Sequence, residues 1–374
     1  MKQIKKEDFI TEKKVCSNKL IVDTEAIKSN LIEISKLLTN KTKIMPVIKA
    51  NAYGLGVKEI IKIIEKLNID IVAVAIVDEG VNLRRIGYKG EIFILNQPYI
   101  EEIPAISENE LTIGVSALSF IEGLQKYPDE FKVHIEIGTG MGRTGIHPKR
   151  CGELIDKILQ YKNIKIEGIY THFACSDCDE EYTNQQICSF EKALKVANEK
   201  LELKYVHACN SAGVIDFSKA HYNLVRPGLM MYGYLPNETL SQKVSLKPCS
   251  VLKSKVTFIK EIEKDFYIGY AKSYRTTKRT TVLTIPIGYA DGLKRLLSNN
   301  GFVVINNVLA PIIGNICMDS FMVDGTNIPN VDVGSDVYIW DNELITLEDV
   351  AKRCQTINYE IISSITDRVR RKYR

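Results

Sequence analysis

The chain has 374 residues, enough for one large domain and one smaller domain. Its hydrophobic share of 45% and charged share of 26% are those of an ordinary soluble globular protein. A net charge of +4 gives no electrostatic support for nucleic-acid binding, and no apolar segment approaches the length of a membrane span.

The nine cysteines lack the spacing of a disulfide framework, which favours free thiols in a reducing compartment. The first residues are charged and lack the apolar core of a secretory signal, so we expect a cytoplasmic location. Cys175 and Cys178 form a CxxC motif, but no second pair with zinc-ligand spacing accompanies it. We therefore predict no metal site and leave the role of this pair open.

Residues 1–19 form a polar, lysine-rich leader without apolar periodicity. It is either a frayed terminus or a linker, and a linker would make the chain the soluble part of a longer, membrane-bound polypeptide. From residue 20 onward, strand-like apolar runs alternate with amphipathic stretches. The runs cover residues 44–48, 71–76, 92–95, 111–115, 131–137, 164–170, 204–208 and 223–226. This alternation predicts a parallel (β/α)8 barrel, similar to a TIM barrel, over residues 20–240, with its functional residues at the carboxyl ends of the strands.

The pattern changes after residue 240, where strand-like runs are joined by short polar turns. These runs cover residues 251–259, 267–270, 281–287, 302–305, 310–316 and 337–340. An amphipathic segment over residues 346–365 is typical of a helix. Residues 241–374 are therefore predicted to form a separate, mainly β domain.

The first predicted barrel strand carries a lysine at its end. Lys49 follows the apolar run 44–48, and Asn51, Tyr53 and two glycines come directly after it. Burial at the end of an apolar strand lowers the pKa of a lysine and frees its amine as a nucleophile. Such an amine forms Schiff bases with aldehydes, including that of pyridoxal phosphate. On these residues alone, a solvated surface lysine remains the alternative.

The segment Lys49-Ala-Asn-Ala-Tyr53-Gly resembles the cofactor-lysine motif of the alanine racemases, which are pyridoxal 5'-phosphate enzymes built from a barrel and a β domain. The similarity continues through nearly the whole chain, in TGMGR at 139–143, HACNSAG at 207–213, GYADG at 288–292 and GNICMD at 314–319. The resemblance implies that Lys49 binds the cofactor and acts as one of two catalytic bases.

The resemblance implies that Arg143 contacts the phenolic oxygen of the cofactor and the substrate carboxylate. Glu136 departs from the family pattern, because many alanine racemases carry there a lysine modified to a carbamate whose negative charge orients that arginine. A glutamate already has a carboxylate, so we predict that Glu136 supplies the charge without modification. An inward glutamate paired elsewhere in the barrel is the alternative.

Other residues match cofactor contacts of the family, and these are Tyr53, His172, Asn210, Ser211, Arg226, Gly228 and Tyr359. His172 is expected against the pyridine ring, and Ser211, Gly228 and the two tyrosines near the phosphate. Arg226 is expected to face the pyridine nitrogen. A guanidinium does not give up its proton, so it cannot protonate the ring, and this weakens the cofactor as an electron sink and suppresses side reactions such as transamination.

In the β domain the resemblance assigns substrate or catalytic roles to Tyr270, Tyr289, Met318 and Asp319. Racemisation removes a proton from one face of the substrate and returns one to the other, and two bases on opposite sides satisfy this requirement. Lys49 would serve one face and Tyr270 the other. In this family the tyrosine comes from the partner subunit, which implies a head-to-tail homodimer with Tyr270, Tyr289 and Met318 acting across its interface.

Two other functions are compatible with a pyridoxal-phosphate barrel. A decarboxylase of basic amino acids profits from a protonated ring, which Arg226 does not favour, and its signature cysteine segment is missing from the sequence. Non-catalytic pyridoxal-phosphate-binding proteins resemble the barrel alone, whereas this chain also carries the β-domain motifs.

The substrate is alanine, serine or both. A family branch in vancomycin-resistant bacteria joins such a racemase domain to a membrane segment and acts on serine as well as alanine. Leu55 in place of a histidine, Glu136, Lys272 beside Tyr270 and the polar leader indicate a divergent member. D-alanine would serve ordinary peptidoglycan synthesis, and D-serine would serve altered peptidoglycan precursors.

Overall fold

The computed structural model describes residues 18–374, which fold as two compact units. One unit comprises residues 23–249, and the other combines residues 18–22 with residues 250–374. The leader expected over residues 1–19 lies outside the described chain except for its last two residues. Lys19 begins strand β1 (Lys19–Val22), which pairs with strands of the C-terminal unit. The division therefore falls at 22/23 and 249/250, whereas the sequence indicated 19/20 and 240/241.

Eight parallel strands form the barrel of the first unit. They are β2 (Lys43–Ile44), β3 (Ile71–Val74), β4 (Glu91–Ile94), β5 (Thr112–Val115), β6 (Phe131–Glu136), β7 (Ile164–Tyr170), β8 (Tyr205–His207) and β9 (Leu224–Val225). The sheet runs in the order β2-β9-β8-β7-β6-β5-β4-β3. A parallel bridge between Val47 and Ala73 joins the segment after β2 to β3. The predicted barrel is confirmed.

Nine helices of the described chain belong to this unit. They are α1 (Thr24–Lys36), α2 (Lys49–Tyr53), α3 (Val57–Lys66), α4 (Val77–Arg85), α5 (Ile103–Glu108), α6 (Leu118–Leu124), α7 (Cys151–Ile158), α8 (Glu180–Asn198) and α9 (Ser211–Asp216). Helix α3 illustrates why they form, because its apolar residues recur at helical spacing and Ile60, Ile61 and Ile64 are buried. Helix α2 differs from the rest, since its backbone is left-handed.

Polar side chains lie inside the barrel among apolar strand residues. Parallel strands covered on both faces are near-continuous apolar runs, and β3 and β5 are buried at every position. Against this background His134, Glu136, His207 and Arg226 are buried as well. Buried polar groups need partners, so these four mark the part of the barrel where chemistry is expected.

The second unit contains the remaining strands and two helices. They are β10 (Ser250–Lys255), β11 (Phe258–Ile262), β12 (Tyr267–Ile268), β13 (Tyr274–Arg275), β14 (Thr280–Ile285), β15 (Phe302–Ile305), β16 (Val308–Ile313), β17 (Phe321–Asp324), β18 (Asp336–Trp340), β19 (Arg370–Tyr373), α10 (Leu347–Arg353) and α11 (Asn358–Ser363). Nine strands form one sheet in the order β11-β14-β17-β16-β15-β18-β10-β1-β19, and β12 pairs with β13. The predicted mainly β domain is confirmed.

Two segments of this unit differ from the sequence expectation. The run over residues 251–259 is two strands, because the backbone changes partners at Val256, whose N–H donates to Ser335, and Thr257, whose N–H donates to Thr284. The helix expected over residues 346–365 is interrupted at Gln355, which has a φ of 52° and separates α10 from α11. Across residues 18–374, no helix has the length and apolar character needed to cross a bilayer.

Candidate active site

Lys49 opens a single left-handed turn at the end of the first barrel strand. Ala50, Asn51 and Ala52 have φ values of 53–54°, and Tyr53 has 56°. L-residues pay roughly 1–2 kcal/mol each in this conformation, so four in succession persist only if the surroundings hold them. The Ala52 and Gly54 N–H groups close the turn on Ile48 and Ala50, and the Asn51 side chain accepts the N–H of Val57 at 2.8 Å.

Glu79 on α4 fixes this turn to the neighbouring strand, a role that the sequence analysis missed. One carboxylate oxygen accepts the Ala50 N–H at 2.6 Å, and the other accepts the Ala75 N–H at 2.8 Å. The residue after Lys49 is thereby tied to the end of β3. The only sequence signal was an acidic residue in the first turn of a helix, and most such residues simply favour the helix dipole.

We expect Glu79→Ala to lower the free energy of unfolding by about 2–3 kcal/mol, because the strained turn loses hydrogen bonds to a charged acceptor. The reaction of Lys49 with added pyridoxal phosphate should slow as well, since the amine is no longer held in one position. Urea unfolding and borohydride trapping measure the two effects. Asp78→Ala removes an exposed neighbouring carboxylate and serves as the control. Equal behaviour of both variants would contradict this role.

The environment of Lys49 favours its neutral amine. Burial lowers the pKa of Lys49, and the positive charge of Arg143 lowers it further, while Glu79 opposes the shift. A lysine with a lowered pKa is a better nucleophile and a better general base near neutral pH. The site chemistry predicted for Lys49 is therefore supported by its surroundings.

Arg226 is the centre of a buried hydrogen-bond chain behind the site. It is only 2% exposed. Its Nη2 donates to the carbonyl oxygens of Thr171 at 2.7 Å and Ala208 at 3.0 Å, and lies 3.3 Å from Nδ1 of His172. Its Nη1 lies 2.7 Å from Nδ1 of His207. Burial lowers the pKa of Arg226 to about 10, so the guanidinium remains charged at neutral pH.

The guanidinium fixes the tautomers of two histidines. A guanidinium only donates hydrogen bonds, so Nδ1 of His207 accepts, and its proton resides on Nε2. That Nε2–H donates to Nδ1 of His134, 2.9 Å away, which leaves the His134 proton on its own Nε2. Within residues 18–374 this last N–H has no hydrogen-bond partner. The hydrogen bonds therefore run from Arg226 to His207 and from His207 to His134. Each ring carries a single proton, on Nε2, so both rings are neutral.

Because these two rings stay neutral in the folded chain, the free energy of unfolding depends on pH. Burial lowers the pKa of His134 to about 3, with the charges of Lys204 and Arg226 adding to the effect, and burial also places the pKa of His207 well below its usual value. The unfolded chain takes up protons at these residues near pH 6.5 and the folded chain does not. Their contribution to stability is complete above that pH and is lost as the pH falls towards 3.

We expect the free energy of unfolding to fall by up to about 3 kcal/mol per pH unit below pH 6, from His134 and His207 together. Thermal unfolding followed between pH 8 and pH 5 measures this. His147→Gln, which removes an exposed histidine, should leave the slope unchanged, whereas His134→Asn should reduce it. A melting temperature that stays constant down to pH 5 would contradict the assignment.

Glu136 is the last residue of β6, directly before the loop that carries Arg143. It is 5% exposed, and its Oε1 accepts the hydroxyl of Thr144 at 2.8 Å. Burial raises the pKa of Glu136, opposed by hydrogen bonds from Thr144 and Tyr170 and by the charges of Arg143 and Arg226. The Glu136 carboxylate therefore lies within electrostatic range of both arginines. Arg143 itself is exposed on the loop that follows.

A cradle suited to phosphate lies where β8 and β9 end. Asn210 caps α9 by accepting the Gly213 N–H at 3.0 Å. The N–H groups of Gly228 and Met230 converge on the hydroxyl oxygen of Ser211, at 3.1 and 3.3 Å. A Cβ at Gly228 would collide with the Tyr53 hydroxyl. Converging N–H groups and a position open only to glycine suit an anionic oxygen ligand.

The candidate residues of the β unit gather on one of its faces. Tyr270 is 73% exposed, and its carbonyl accepts the Asn315 side chain at 2.9 Å. The Tyr289 N–H donates to Cys317, and the N–H of the next residue donates to the carbonyl of Met318. Tyr289 and Met318 are exposed too. Three segments distant in sequence therefore present exposed side chains together.

Two other predicted residues of this unit have different surroundings. The Asp319 carboxylate accepts Nη2 of Arg368 at 2.6 Å. This ion pair favours a supporting role over direct contact with substrate. Tyr359 is half-buried on α11. Within residues 18–374, no group of three or more His, Cys, Asp or Glu side chains converges in a way that could hold a metal ion.

Sequence models of known families match both units. One described as "Alanine racemase, N-terminal domain" matches residues 22–236, and one described as "Alanine racemase, C-terminal domain" matches residues 249–373. The chain belongs to the alanine racemase family. Alanine racemases depend on pyridoxal phosphate, so this cofactor belongs in the barrel. The family resemblance inferred from the Lys49 motif is confirmed.

Individual alanine racemases support the same conclusion. That of Halothermothrix orenii is 37% identical over 362 residues, which cover 94% of this chain and 96% of the relative. That of Methanococcus maripaludis is 38% identical, covering 94% and 97%. A solved alanine racemase of Clostridium difficile 630 gives a TM-score of 0.92 at 33% identity, with 96% of each chain covered. One of Bacillus anthracis with bound L-Ala-P gives 0.91 at 32%, covering 96% and 95%.

The barrel residues fit the cofactor of the alanine racemase family. Lys49 offers an amine with a lowered pKa, and the Ser211 and Gly228 cradle offers converging N–H groups. Both arms of the Arg226 guanidinium, Nη1 and Nη2, are bonded to the protein. Among the described residues, its Nε–H donates to no protein acceptor, so this N–H is available to a ring nitrogen.

Proposed function

We propose that the protein interconverts the L and D forms of alanine by a two-base mechanism. The observation that carries this proposal is the half-buried Lys49 amine, held with a lowered pKa on a strained turn at the end of a barrel strand. Pyridoxal phosphate, when bound, withdraws electrons from the substrate α-carbon and so acidifies its proton. Residues of the chain itself bind and orient the substrate and move its proton.

Lys49 binds the cofactor and moves a proton on one face of the substrate. Arg143 holds the substrate carboxylate, and the cradle of Asn210, Ser211 and Gly228 holds the phosphate, with Tyr53 beside it. Arg226 faces the ring nitrogen as a donor that keeps its proton at working pH, which supports racemisation over decarboxylation. His172 lies within reach of Arg226 and completes this side of the site.

Tyr270 supplies the base for the opposite face, and we propose that it does so in the site of a second copy of the chain. Tyr270, Tyr289 and Met318 are exposed on one face of the β unit, which supports a contact surface there. A homodimer would thus contain two equivalent sites, each completed by the partner's β unit. Tyr359 contributes to the phosphate side, and Asp319 supports the Met318 segment.

Glu136 supplies a negative charge that orients Arg143. We expect Glu136→Gln to lower kcat/KM by about tenfold, chiefly through a higher KM, because the arginine loses a charged partner. Glu136→Lys should lose activity similarly and regain part of it in bicarbonate, where the lysine can form a carbamate. Steady-state kinetics on L-alanine measure both. Unchanged kinetics of Glu136→Gln would support a purely structural glutamate.

The substrate test compares alanine with serine. Purified protein loaded with cofactor is incubated with L-alanine or L-serine, and both enantiomers are followed by chiral chromatography. Faster turnover of alanine supports the proposal, with D-alanine supplied for peptidoglycan synthesis. Comparable kcat/KM on serine would favour the serine-competent branch and altered wall precursors. Release of carbon dioxide without racemisation would favour a decarboxylase, and cofactor binding without turnover would favour a binding protein.

The proposed location is the cytoplasm. The eight cysteines of the described chain are free thiols, which persist in a reducing compartment. Fractionation of cells into soluble, membrane and exported protein tests this location.

A further inference from the structure

The loop between β7 and α8 brings two cysteines together. The N–H groups of Cys178 and Asp179 both donate to the carbonyl of Cys175, at 3.0 and 2.8 Å. A turn closed between residues i and i+3 holds their Cα atoms within about 7 Å. Disulfide-bonded cysteines have Cα atoms about 4.4–6.8 Å apart. The backbone therefore already places Cys175 and Cys178 at a separation that a disulfide can bridge.

Both thiols are accessible and interact with each other. Cys178 is exposed and Cys175 is half-buried. Slight burial, the Asp177 charge and then the Cys175 thiol raise the pKa of the Cys178 thiol. Redox catalysts need a thiol with a lowered pKa, so this pair does not suit rapid disulfide exchange on other proteins. The pair instead suits slow oxidation to a disulfide between Cys175 and Cys178 of the same chain.

The two residues between the cysteines are anchored. Ser176 is 5% exposed, and its hydroxyl donates to Oδ1 of Asn210 at 2.7 Å. The same oxygen accepts the Gly213 N–H that caps α9. The carbonyl of Asp177 accepts the Asn237 side chain at 2.8 Å. A change in the backbone torsions that moves Ser176 would therefore break its hydrogen bond to Asn210, which is next to Ser211 in the phosphate cradle.

We propose that Cys175 and Cys178 form a reversible disulfide that displaces Ser176 from Asn210 and weakens cofactor binding. The inference rests on the proposed assignment of Asn210 and Ser211 to the cofactor phosphate. The oxidant is a low-molecular-weight disulfide such as oxidised glutathione. One thiolate attacks it and releases one small thiol, and the second thiolate then attacks the mixed disulfide and releases the other. The intrachain S–S bond forms, the oxidant is reduced to two thiols, and the two protein protons leave with them.

The test uses the full chain, equilibrated in glutathione buffers from fully reduced to fully oxidised. Alkylation followed by peptide mass analysis identifies the disulfide, and fluorescence titration with pyridoxal phosphate gives Kd. We expect a Cys175–Cys178 disulfide and a Kd raised by about tenfold, the effect of one lost hydrogen bond to a half-buried acceptor, with reversal by dithiothreitol. Cys175→Ser and Cys178→Ser should not respond to oxidation, whereas Cys188→Ser, which removes an exposed thiol on α8, should respond as the parent does.

Ser176→Ala separates the two parts of the inference, because it should raise Kd similarly without oxidation. Cysteines that stay reduced, or stop at mixed disulfides with glutathione, overturn the inference. A disulfide that forms while Kd stays constant overturns it too. Failure of the reduced chain to bind the cofactor at all would instead overturn the proposed function. If the chain racemises alanine but oxidation does not change its Kd for the cofactor, only this inference is overturned.

Discussion

We expect Lys49→Ala to abolish racemisation, with a loss of at least about 10⁴-fold in kcat, and to remove the covalent attachment of the cofactor. The variant loses both the nucleophile and the base on one face of the substrate, and each role alone accounts for a large fraction of catalysis. Chiral chromatography measures the rate. Borohydride reduction followed by mass analysis measures the attachment, which should vanish at the peptide containing residue 49.

Lys43→Ala is the matched control for this variant. Lys43 begins strand β2, shortly before Lys49 in the chain, but is exposed and paired with Asp70 at 2.9 Å on the surface. It should keep its cofactor and its activity, since an exposed ion pair contributes little to stability. Full activity of Lys49→Ala, or loss of the cofactor from both variants, would exclude Lys49 as the catalytic lysine.

We expect Tyr270→Phe to lower turnover by about 10²–10⁴-fold in at least one direction while cofactor binding persists. The substitution removes a single hydroxyl from an exposed ring, so folding is unaffected and only proton transfer is lost. Initial rates from L-alanine and from D-alanine measure the two directions separately. Tyr267→Phe removes the hydroxyl of a neighbouring exposed tyrosine and should leave both rates unchanged. Equal rates in Tyr270→Phe and its parent would refute the two-base scheme.

Mixing the two inactive variants tests the shared site directly. In a dimer of one Lys49→Ala chain and one Tyr270→Phe chain, one site has lost both residues and the other retains both, provided that the tyrosine crosses the interface. Random mixing on co-expression should then restore about a quarter of the parental activity. If Tyr270 acts within its own chain, every site lacks one base and the mixture stays inactive.

The barrel was predictable because its strands are buried on both faces. Each predicted run overlaps an observed strand, and β7 matches residue for residue over Ile164–Tyr170. In the β unit, β15 was predicted at the same precision, but β1, β13, β17 and β19 were missed. Strand β19 has the sequence Arg-Arg-Lys-Tyr and no apolar alternation, so only its pairing with β1 identifies it as a strand.

The candidate site was predictable only where a motif existed. Lys49 was indicated by its place after an apolar run, and Arg226 by resemblance. The role of Glu79 depends on where α4 lies relative to the Lys49 turn, and a single acidic residue carries no such information. The hydrogen-bond chain through His207 to His134 joins residues 73 positions apart, so it emerges only when β6 and β8 occupy the same barrel interior. Long-range polar contacts of this kind have no local sequence signal.

Strand β1 has a consequence for how the protein is made. On the ribosome it is among the earliest described segments to emerge, yet its antiparallel neighbour β10 begins at Ser250 and its parallel neighbour β19 ends at Tyr373. Its backbone therefore stays unpaired until the barrel residues and β10 have been synthesised, and its second edge stays open until residues 370–373 follow. Domains generally complete in order of synthesis, so the barrel is finished first and the β unit last. A chain truncated before β19 would have a finished barrel and an open sheet edge at β1, a surface prone to pairing with other chains.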